Sequence, residues 1–455
     1  MINAIIKIFR TKEALSLIGS LTSAFYGLAN FMILARILTL EDFGRWQILL
    51  ATAAFIEMIR FGVTEHATIK YLSGATADAR KSLIGANYRI GFLLTLLPAL
   101  LVFILGLIFK DAISHSGFDL FFVWYPLIAL LGFPARNTST LLQSEMRFGD
   151  ILILNLSQGT LFFLLLAVLY FGQYSVSINV IAFAEVVLLT LNSFACMALK
   201  WDGLRFVRYA TKEAREKILK FGKYASITLM GSNLLRSADS WLITLSPLGP
   251  AAVAVYSIPL KLMEILQIPL RSVSATAYPA MSKSHEEGDF LNIRYIFNSR
   301  IGFLTLAFIP AIIFAVVFPE FLIRILAGKE YLLSSGSPVL VFQIMTLYGI
   351  LLPFDKFTGV ALDAIDKPNL NSIKVFVMVV TNVLGDIIAL WLFESLVGVA
   401  IASILFTIVG SVLGFYYLKK DLDLKLYSII PTGAKLLQYQ IMSLLKKDSP
   451  FDKKQ

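Results

Sequence analysis

Acidic and basic side chains recur three residues apart inside stretches of the sequence that are otherwise almost purely apolar. The pairs are Glu57 with Arg60, Arg236 with Asp239, and Lys261 with Glu264. Residues three apart lie on one helix face, so each pair can be a neutralised ion pair within its own helix. A charged side chain at the centre of a bilayer costs roughly 2.5–3.5 kcal/mol. We therefore expect these side chains to pair or to face a polar interior, and not lipid.

Arginine is the residue type best suited to holding an anionic group in such surroundings. A guanidinium binds phosphate through two parallel hydrogen bonds and does not lose its proton. When residues 40–48 are aligned with residues 250–258, Arg60 falls within one residue of Arg271. This weak internal repeat predicts one arginine from each half of the chain near a shared cleft, towards its cytoplasmic end. The alternative is that both arginines extend to the membrane interface.

The charged residues in the apolar stretches give two candidate sets. The predicted cationic set for substrate binding is Arg60, Arg271, Arg236, Lys261 and Lys356. The candidates for ion pairing or for a coupling ion are Glu57, Asp239, Glu264 and Asp386. A satisfied buried acid is the other interpretation of Asp386. One cysteine and three widely spaced histidines predict no metal site, and we expect no catalytic residues and no cofactor.

The composition of the chain indicates what kind of secondary-structure element carries these residues. Of the 455 residues, 57% are hydrophobic and 15% are charged, whereas a soluble domain is about half apolar and a quarter charged. Apolar runs of about 20 residues predict membrane-spanning helices. We find twelve, at 14–37, 43–63, 84–109, 118–141, 151–171, 177–199, 222–246, 250–274, 299–326, 336–360, 371–393 and 397–418. The predicted fold class is all-α, a polytopic membrane protein with two six-helix lobes around a central cavity.

Lysine and arginine concentrate in alternate loops, above all in residues 200–223, and the net charge is +10. This asymmetry predicts that both termini are cytoplasmic. The predicted domains are an N-terminal lobe (1–200), a basic cytoplasmic linker (201–221), a C-terminal lobe (222–418) and a basic amphipathic tail (419–455). No loop is long enough for a catalytic domain, so we expect a protein that is not an enzyme.

Two short motifs carry a resemblance to a known family. Ala35-Arg36-Ile37-Leu38 is followed by Glu41-Asp42-Phe43-Gly44 at the first outer turn, and Pro279-Ala280-Met281-Ser282 follows the eighth span. With twelve spans in two lobes, the chain resembles the polysaccharide (O-antigen type) flippases of the multidrug/oligosaccharidyl-lipid/polysaccharide exporter superfamily.

This resemblance implies a V-shaped pair of lobes and transport of an undecaprenyl-diphosphate-linked oligosaccharide. In the related lipid II flippases, arginines in spans two and eight face the cavity, which corresponds to Arg60 and Arg271 here. Those relatives also have arginines early in span one, where this chain has none. Drug-exporting members of the superfamily often have an acid within span one, and residues 14–36 contain none.

The predicted function is a flippase of a bacterial inner membrane. It would move a lipid-linked repeat unit to the outer leaflet by alternating access, for O-antigen, exopolysaccharide or capsule assembly. Expected partners are the lipid-linked oligosaccharide, membrane lipids, a glycan polymerase and a chain-length regulator, and no nucleic acid. The alternatives are a drug or organic-cation antiporter of the same superfamily and a non-flippase membrane component of glycan assembly.

Overall fold

The computed structural model describes residues 12–72 and 75–447, and all regular structure within these two ranges is helical. Ten of the described helices are long and apolar enough to cross a membrane, and an eleventh is a pair, Leu40–Arg60 and Gly62–Leu72, bent by 46°. The predicted span 222–246 lies in a further long helix that ends at Leu245. The all-α, polytopic fold class is therefore confirmed.

The chain forms two compact units, and the first contains residues up to Val255 together with Ile325–Tyr331. Its helices are α1 (Lys12–Ile37), α2 (Leu40–Leu72), α3 (Ala77–Ile108), α4 (Lys110–Ser114), α5 (Asp119–Ser144), α6 (Phe148–Phe171), α7 (Ile178–Ala198) and α8 (Lys212–Leu245). A 3-10 turn, Leu204–Tyr209, joins α7 to α8.

The second unit begins at Tyr256, within helix α9 (Gly249–Glu286). Its other helices are α10 (Phe290–Val317), α11 (Pro319–Leu326), α12 (Pro338–Tyr348), α13 (Leu352–Ala364), α14 (Pro368–Ile387), α15 (Leu396–Leu422) and α16 (Ile429–Lys447). Helix α14 ends in a π-helical turn over Ile388–Leu392. The buried apolar core of this unit includes Phe297, Leu304, Phe308, Phe357 and Leu418.

Helices α2 and α8 make the most extensive helix pair, and glycines allow their backbones to meet. A Cβ atom at Gly222 would fall 2.3 Å from the carbonyl oxygen of Val63, and one at Gly62 would fall 2.4 Å from the Cα atom of Ser226. Packing therefore places α8 in the first unit, although it follows the basic linker. The predicted division into lobes at residues 200 and 222, which rests on the repeat, stays a prediction.

The tail helix α16 packs lengthwise against α10. The Arg294 guanidinium lies 3.0 Å from the Asp423 carboxylate, and the Asn298 amide donates to the Ser428 hydroxyl at 3.0 Å. One turn further along α10, a Cβ at Gly302 would lie 2.2 Å from the Ile429 carbonyl oxygen. Contacts advance together along both segments, so the two helices run parallel from this point. The predicted cytoplasmic location of the tail stays a prediction, and residues 448–455 lie outside the described ranges.

Candidate functional site

Three charged side chains from α2 and α5 form one cluster inside the first unit. The Arg60 guanidinium donates to Oε2 of Glu57 from Nε at 3.0 Å and from Nη2 at 2.9 Å. The other carboxylate oxygen, Oε1, lies 2.8 Å from Nη1 of Arg136. One carboxylate is thus shared by two guanidinium groups, so these three side chains carry a net charge of +1. The Glu185 carboxylate lies within electrostatic range of Arg136.

The three members of this arginine cluster differ in how far their side chains are exposed. Side-chain exposure is 2% for Arg60, 7% for Glu57 and 27% for Arg136. Arg60 is therefore enclosed by protein, and its guanidinium lies 5.9 Å from the centre of the Phe133 ring. Arg136 passes beside Gly132, where a Cβ atom would sit 3.6 Å from Nε. Arg136 is therefore the most exposed of the three side chains in this conformation.

Sequence reasoning identified the pair Glu57 and Arg60 but missed Arg136. The pair is visible in the sequence because its members lie three apart on one helix. Arg136 has no acid at that spacing, and its partner comes from α2, about eighty residues earlier. The available signal was its position alone, an arginine near the end of the apolar run 118–141 with prolines at 126 and 134.

The predicted cations of α9 lie in more open surroundings. Lys261 and Glu264 form their predicted pair at 2.8 Å, and the carboxylate is exposed. Arg271 is exposed, and Nη2 donates to the side-chain oxygen of Gln267 at 3.0 Å. The side chain of Arg236 lies outside the described ones, whereas Asp239 is buried. The substrate-binding role assigned to these cations stays a prediction.

A second charge pair lies in the second unit and joins a buried lysine, which sequence reasoning missed, to a partly exposed aspartate. Nζ of Lys374 on α14 lies 2.7 Å from the Asp355 carboxylate, 2.8 Å from the Asp355 carbonyl oxygen and 2.9 Å from the Thr358 hydroxyl. These three acceptors match the three protons of an ammonium group. Lys374 is buried, whereas the neighbouring candidate Lys356 is exposed.

Asp386 lies in the same unit and is fully buried on α14. Its Oδ2 atom accepts a hydrogen bond of 3.0 Å from the Asn382 amide, one turn earlier on the helix. Elsewhere in the second unit, the hydroxyls of Tyr256 and Ser403 share a hydrogen bond of 3.0 Å. Among the described residues, no three His, Cys, Asp or Glu side chains are grouped as metal ligands would be.

The motif at the first outer turn has a packing role within the first unit. The Arg36 guanidinium donates to the carbonyl oxygens of Ile325 and Leu326, the last residues of α11. The ring of Phe43 packs edge-on against the buried ring of Tyr331, 6.1 Å away. A Cβ atom at Gly44 would fall 1.8 Å from the Pro250 carbonyl oxygen, so only glycine is tolerated there. This motif therefore holds the segment Ile325–Tyr331 and the start of α9.

Comparison with known proteins agrees with this fold and these motifs. A sequence model of the family described as "Polysaccharide biosynthesis protein" matches residues 11–285, more than half of the chain. The chain belongs to this family. A second model, MatE, matches residues 225–388. The resemblance inferred from the motifs is thereby confirmed.

Two curated proteins from archaea are similar to this chain. The "Probable low-salt glycan biosynthesis flippase Agl15" of Haloferax volcanii is 23% identical over 73% of this chain and 68% of its own length. The "Uncharacterized membrane protein MJ1068" of Methanocaldococcus jannaschii is 25% identical over 47% of this chain and 43% of its own length.

Two solved structures share the fold. An inward-facing multidrug resistance MATE family transporter of the MOP superfamily gives a TM-score of 0.71 at 15% identity, covering 94% of this chain and 96% of that chain. The lipid II flippase MurJ in an inward closed conformation also gives 0.71, at 14% identity, covering 95% and 93%. At these identities the likeness establishes the fold alone.

Proposed function

We propose that this protein is a flippase for a lipid-linked oligosaccharide, moving it from the cytoplasmic to the outer leaflet of the membrane without any covalent step. The observation that carries the proposal is the arginine cluster of Glu57, Arg60 and Arg136. It keeps a surplus positive charge among apolar helices, in a chain that belongs to a polysaccharide biosynthesis family.

The geometry of the cluster suggests how an anionic head group is held and released. Arg136 contacts Glu57 through one nitrogen and is partly exposed, so the remaining N–H groups of its guanidinium can bind a phosphate. Arg60 stays on the other carboxylate oxygen and keeps Glu57 in place. A phosphate competes with Glu57 for Arg136, and the return of Arg136 to the carboxylate favours release.

The finer assignment follows from the sequence and from the relatives. The predicted substrate is an undecaprenyl-diphosphate-linked repeat unit for O-antigen, exopolysaccharide or capsule assembly, and the predicted location is a bacterial inner membrane with cytoplasmic termini. The name of the Haloferax volcanii relative, a probable glycan biosynthesis flippase, supports the transport of a glycan carrier. Coupling through Asp386 or another buried acid belongs to the same proposal.

A drug or organic-cation antiporter is the second candidate, because the MatE match covers residues 225–388 and the MATE transporter fold is shared. An organic cation needs a surplus of negative charge in its site. The arginine cluster has the opposite sign, which favours the flippase.

The deciding experiment measures movement of a fluorescent undecaprenyl-diphosphate oligosaccharide across proteoliposomes that contain the full chain. We expect Arg136→Gln to lower the initial rate about tenfold or more, because one charge-assisted contact contributes about 1.5–3 kcal/mol. The matched control is Arg80→Gln, which removes an arginine paired with Glu145 and should leave the rate within about twofold. Transport of a cationic dye but not of the glycan lipid by the wild-type protein would reject the proposal in favour of the antiporter.

A further inference from the structure

The basic linker is firmly attached to the first unit. A Cβ atom at Gly85 on α3 would fall 2.1 Å from the Phe206 carbonyl oxygen, so the two backbones are in contact. The Asn137 amide donates to the Asp202 carbonyl oxygen at 2.7 Å, and the hydroxyls of Ser82 and Thr211 share a hydrogen bond of 2.7 Å. The 3-10 turn Leu204–Tyr209 therefore has a fixed inner and a fixed outer face.

Helix α8 continues this attachment through two cation–aromatic contacts. Nζ of Lys217 lies 4.4 Å from the centre of the Tyr71 ring, and Nζ of Lys70 lies 4.5 Å from the centre of the Phe221 ring. These contacts join the end of α2 to the start of α8. Ala214 and Ile218 point inward and are buried, so the opposite side of this helical turn faces outward.

The outward face carries many cations and few acids. Residues 200–223 contain eight lysines and arginines against three acids, and one of the acids, Asp202, is buried. All eight lysines and arginines are exposed, namely Lys200, Arg205, Arg208, Lys212, Arg215, Lys217, Lys220 and Lys223. The surface charge of the linker is thus strongly positive and has the sign that attracts anionic lipid head groups.

Large apolar side chains stand among these cations. Leu204, Tyr209 and Leu219 are each exposed by more than two fifths of their surface. Exposed leucine and tyrosine beside arginine and lysine are typical of segments that lie at a membrane interface, with the apolar groups in the acyl boundary and the cations on phosphates. Helix α7 is long and apolar enough to span a membrane and ends at Ala198, just before the linker, so the linker must begin close to the head groups.

We propose that the outward face of residues 204–223 is a binding surface for anionic phospholipids of the cytoplasmic leaflet. Leu204 and Tyr209 insert between lipids, and Arg205 and Arg208 bind their phosphates. The surface shares no residue with the arginine cluster, and the proposal does not depend on which substrate is transported. It requires only that the linker lies on the leaflet that the positive charge indicates.

A spectroscopic experiment tests this lipid contact directly in the full-length protein. Because Cys196 is buried, a bimane label attaches selectively to Leu204→Cys. The labelled protein is placed in bilayers of phosphatidylcholine with one third phosphatidylglycerol, and quenching by head-group spin-labelled phosphatidylglycerol is compared with quenching by spin-labelled phosphatidylcholine. We expect several-fold stronger quenching by phosphatidylglycerol at 0.1 M salt, where the Debye length is about 10 Å, and parity at 1 M, where it is about 3 Å.

Two sets of variants identify the side chains responsible. The double change Arg205→Gln and Arg208→Gln should lower this several-fold preference for phosphatidylglycerol to near parity. The matched control, Lys110→Gln with Lys329→Gln, removes two cations from loops predicted to lie on the other side of the membrane and should leave the preference unchanged. Equal quenching by both lipids at low salt overturns the proposal and points to a protein partner. A preference that survives the arginine changes also overturns it.

Discussion

The geometry of the arginine cluster predicts that Glu57 stabilises the fold more than Arg136 does. Glu57 receives Arg60 on one oxygen and Arg136 on the other. Glu57→Gln removes the negative charge while keeping the size of the side chain, and leaves Arg60, which is 2% exposed, without this carboxylate in a low-dielectric site. Breaking a buried ion pair by removing one partner costs about 3–5 kcal/mol of unfolding free energy.

Arg136→Gln should cost less. Its side chain is 27% exposed and partly solvated, and Glu57 keeps Arg60 as a partner. We expect a loss on the order of 1–2 kcal/mol. The double variant Glu57→Gln with Arg60→Gln removes both buried charges, so it should be less destabilised than the sum of the single variants, with a coupling energy of about 1–3 kcal/mol.

The assay is a double-mutant cycle on the purified protein, using reversible unfolding in mixed micelles followed by tryptophan fluorescence. The order of stability expected is wild type, then Arg136→Gln, then Glu57→Gln. The reasoning is refuted if Glu57→Gln is as stable as Arg136→Gln, or if the coupling between positions 57 and 60 is below about 0.5 kcal/mol.

Three further predictions concern other parts of the chain. Lys374→Met should lower the unfolding free energy by about 1–3 kcal/mol, because it leaves Asp355, which is 29% exposed, without its lysine. Adding Asp355→Asn should recover part of this loss in thermal unfolding, and no recovery would contradict the pair. Gly302→Ala should loosen the packing of α16, because the new Cβ atom would fall 2.2 Å from the Ile429 carbonyl oxygen, and limited proteolysis should then release the tail. The control is Gly27→Ala, where a Cβ atom would have nothing within 4 Å. Equal cleavage of both variants would refute the contact. Burial raises the pKa of Asp202, so the folded protein holds this proton more tightly than the unfolded chain, and stability should rise as the pH falls through that raised pKa. Asp202→Asn should remove that part of the pH dependence of the unfolding midpoint, and an unchanged dependence would show that Asp202 does not contribute.

The sequence could predict what depends on neighbouring residues and not what depends on distant ones. The helices follow from apolar runs of membrane length, and the pairing of Glu57 with Arg60 and of Lys261 with Glu264 follows from a spacing of three. Arg136 and Lys374 have partners on other helices, so their roles depend on packing that no local pattern contains.

Close backbone contacts between distant segments could not be predicted from the sequence either. The basic tail was predicted as an amphipathic helix from its periodicity, and a helix is found there. Its lengthwise packing on α10 depends on Gly302 meeting Gly433, two glycines that look unremarkable when read in sequence. The guanidinium of Arg36, in the motif at the first outer turn, binds the carbonyl oxygens that end α11, about 290 residues later in the chain. Each case depends on segments far apart in the chain.

The bond between Lys374 and Asp355 has a consequence for how the chain enters the bilayer during synthesis. Helices α13 and α14 are adjacent in the sequence, and each carries one half of this ion pair. Inserted alone, either helix would bring an uncompensated charge into hydrocarbon, at roughly 2.5–3.5 kcal/mol. A hairpin of the two helices that left the translocon as one unit would carry this pair into the lipid already neutralised.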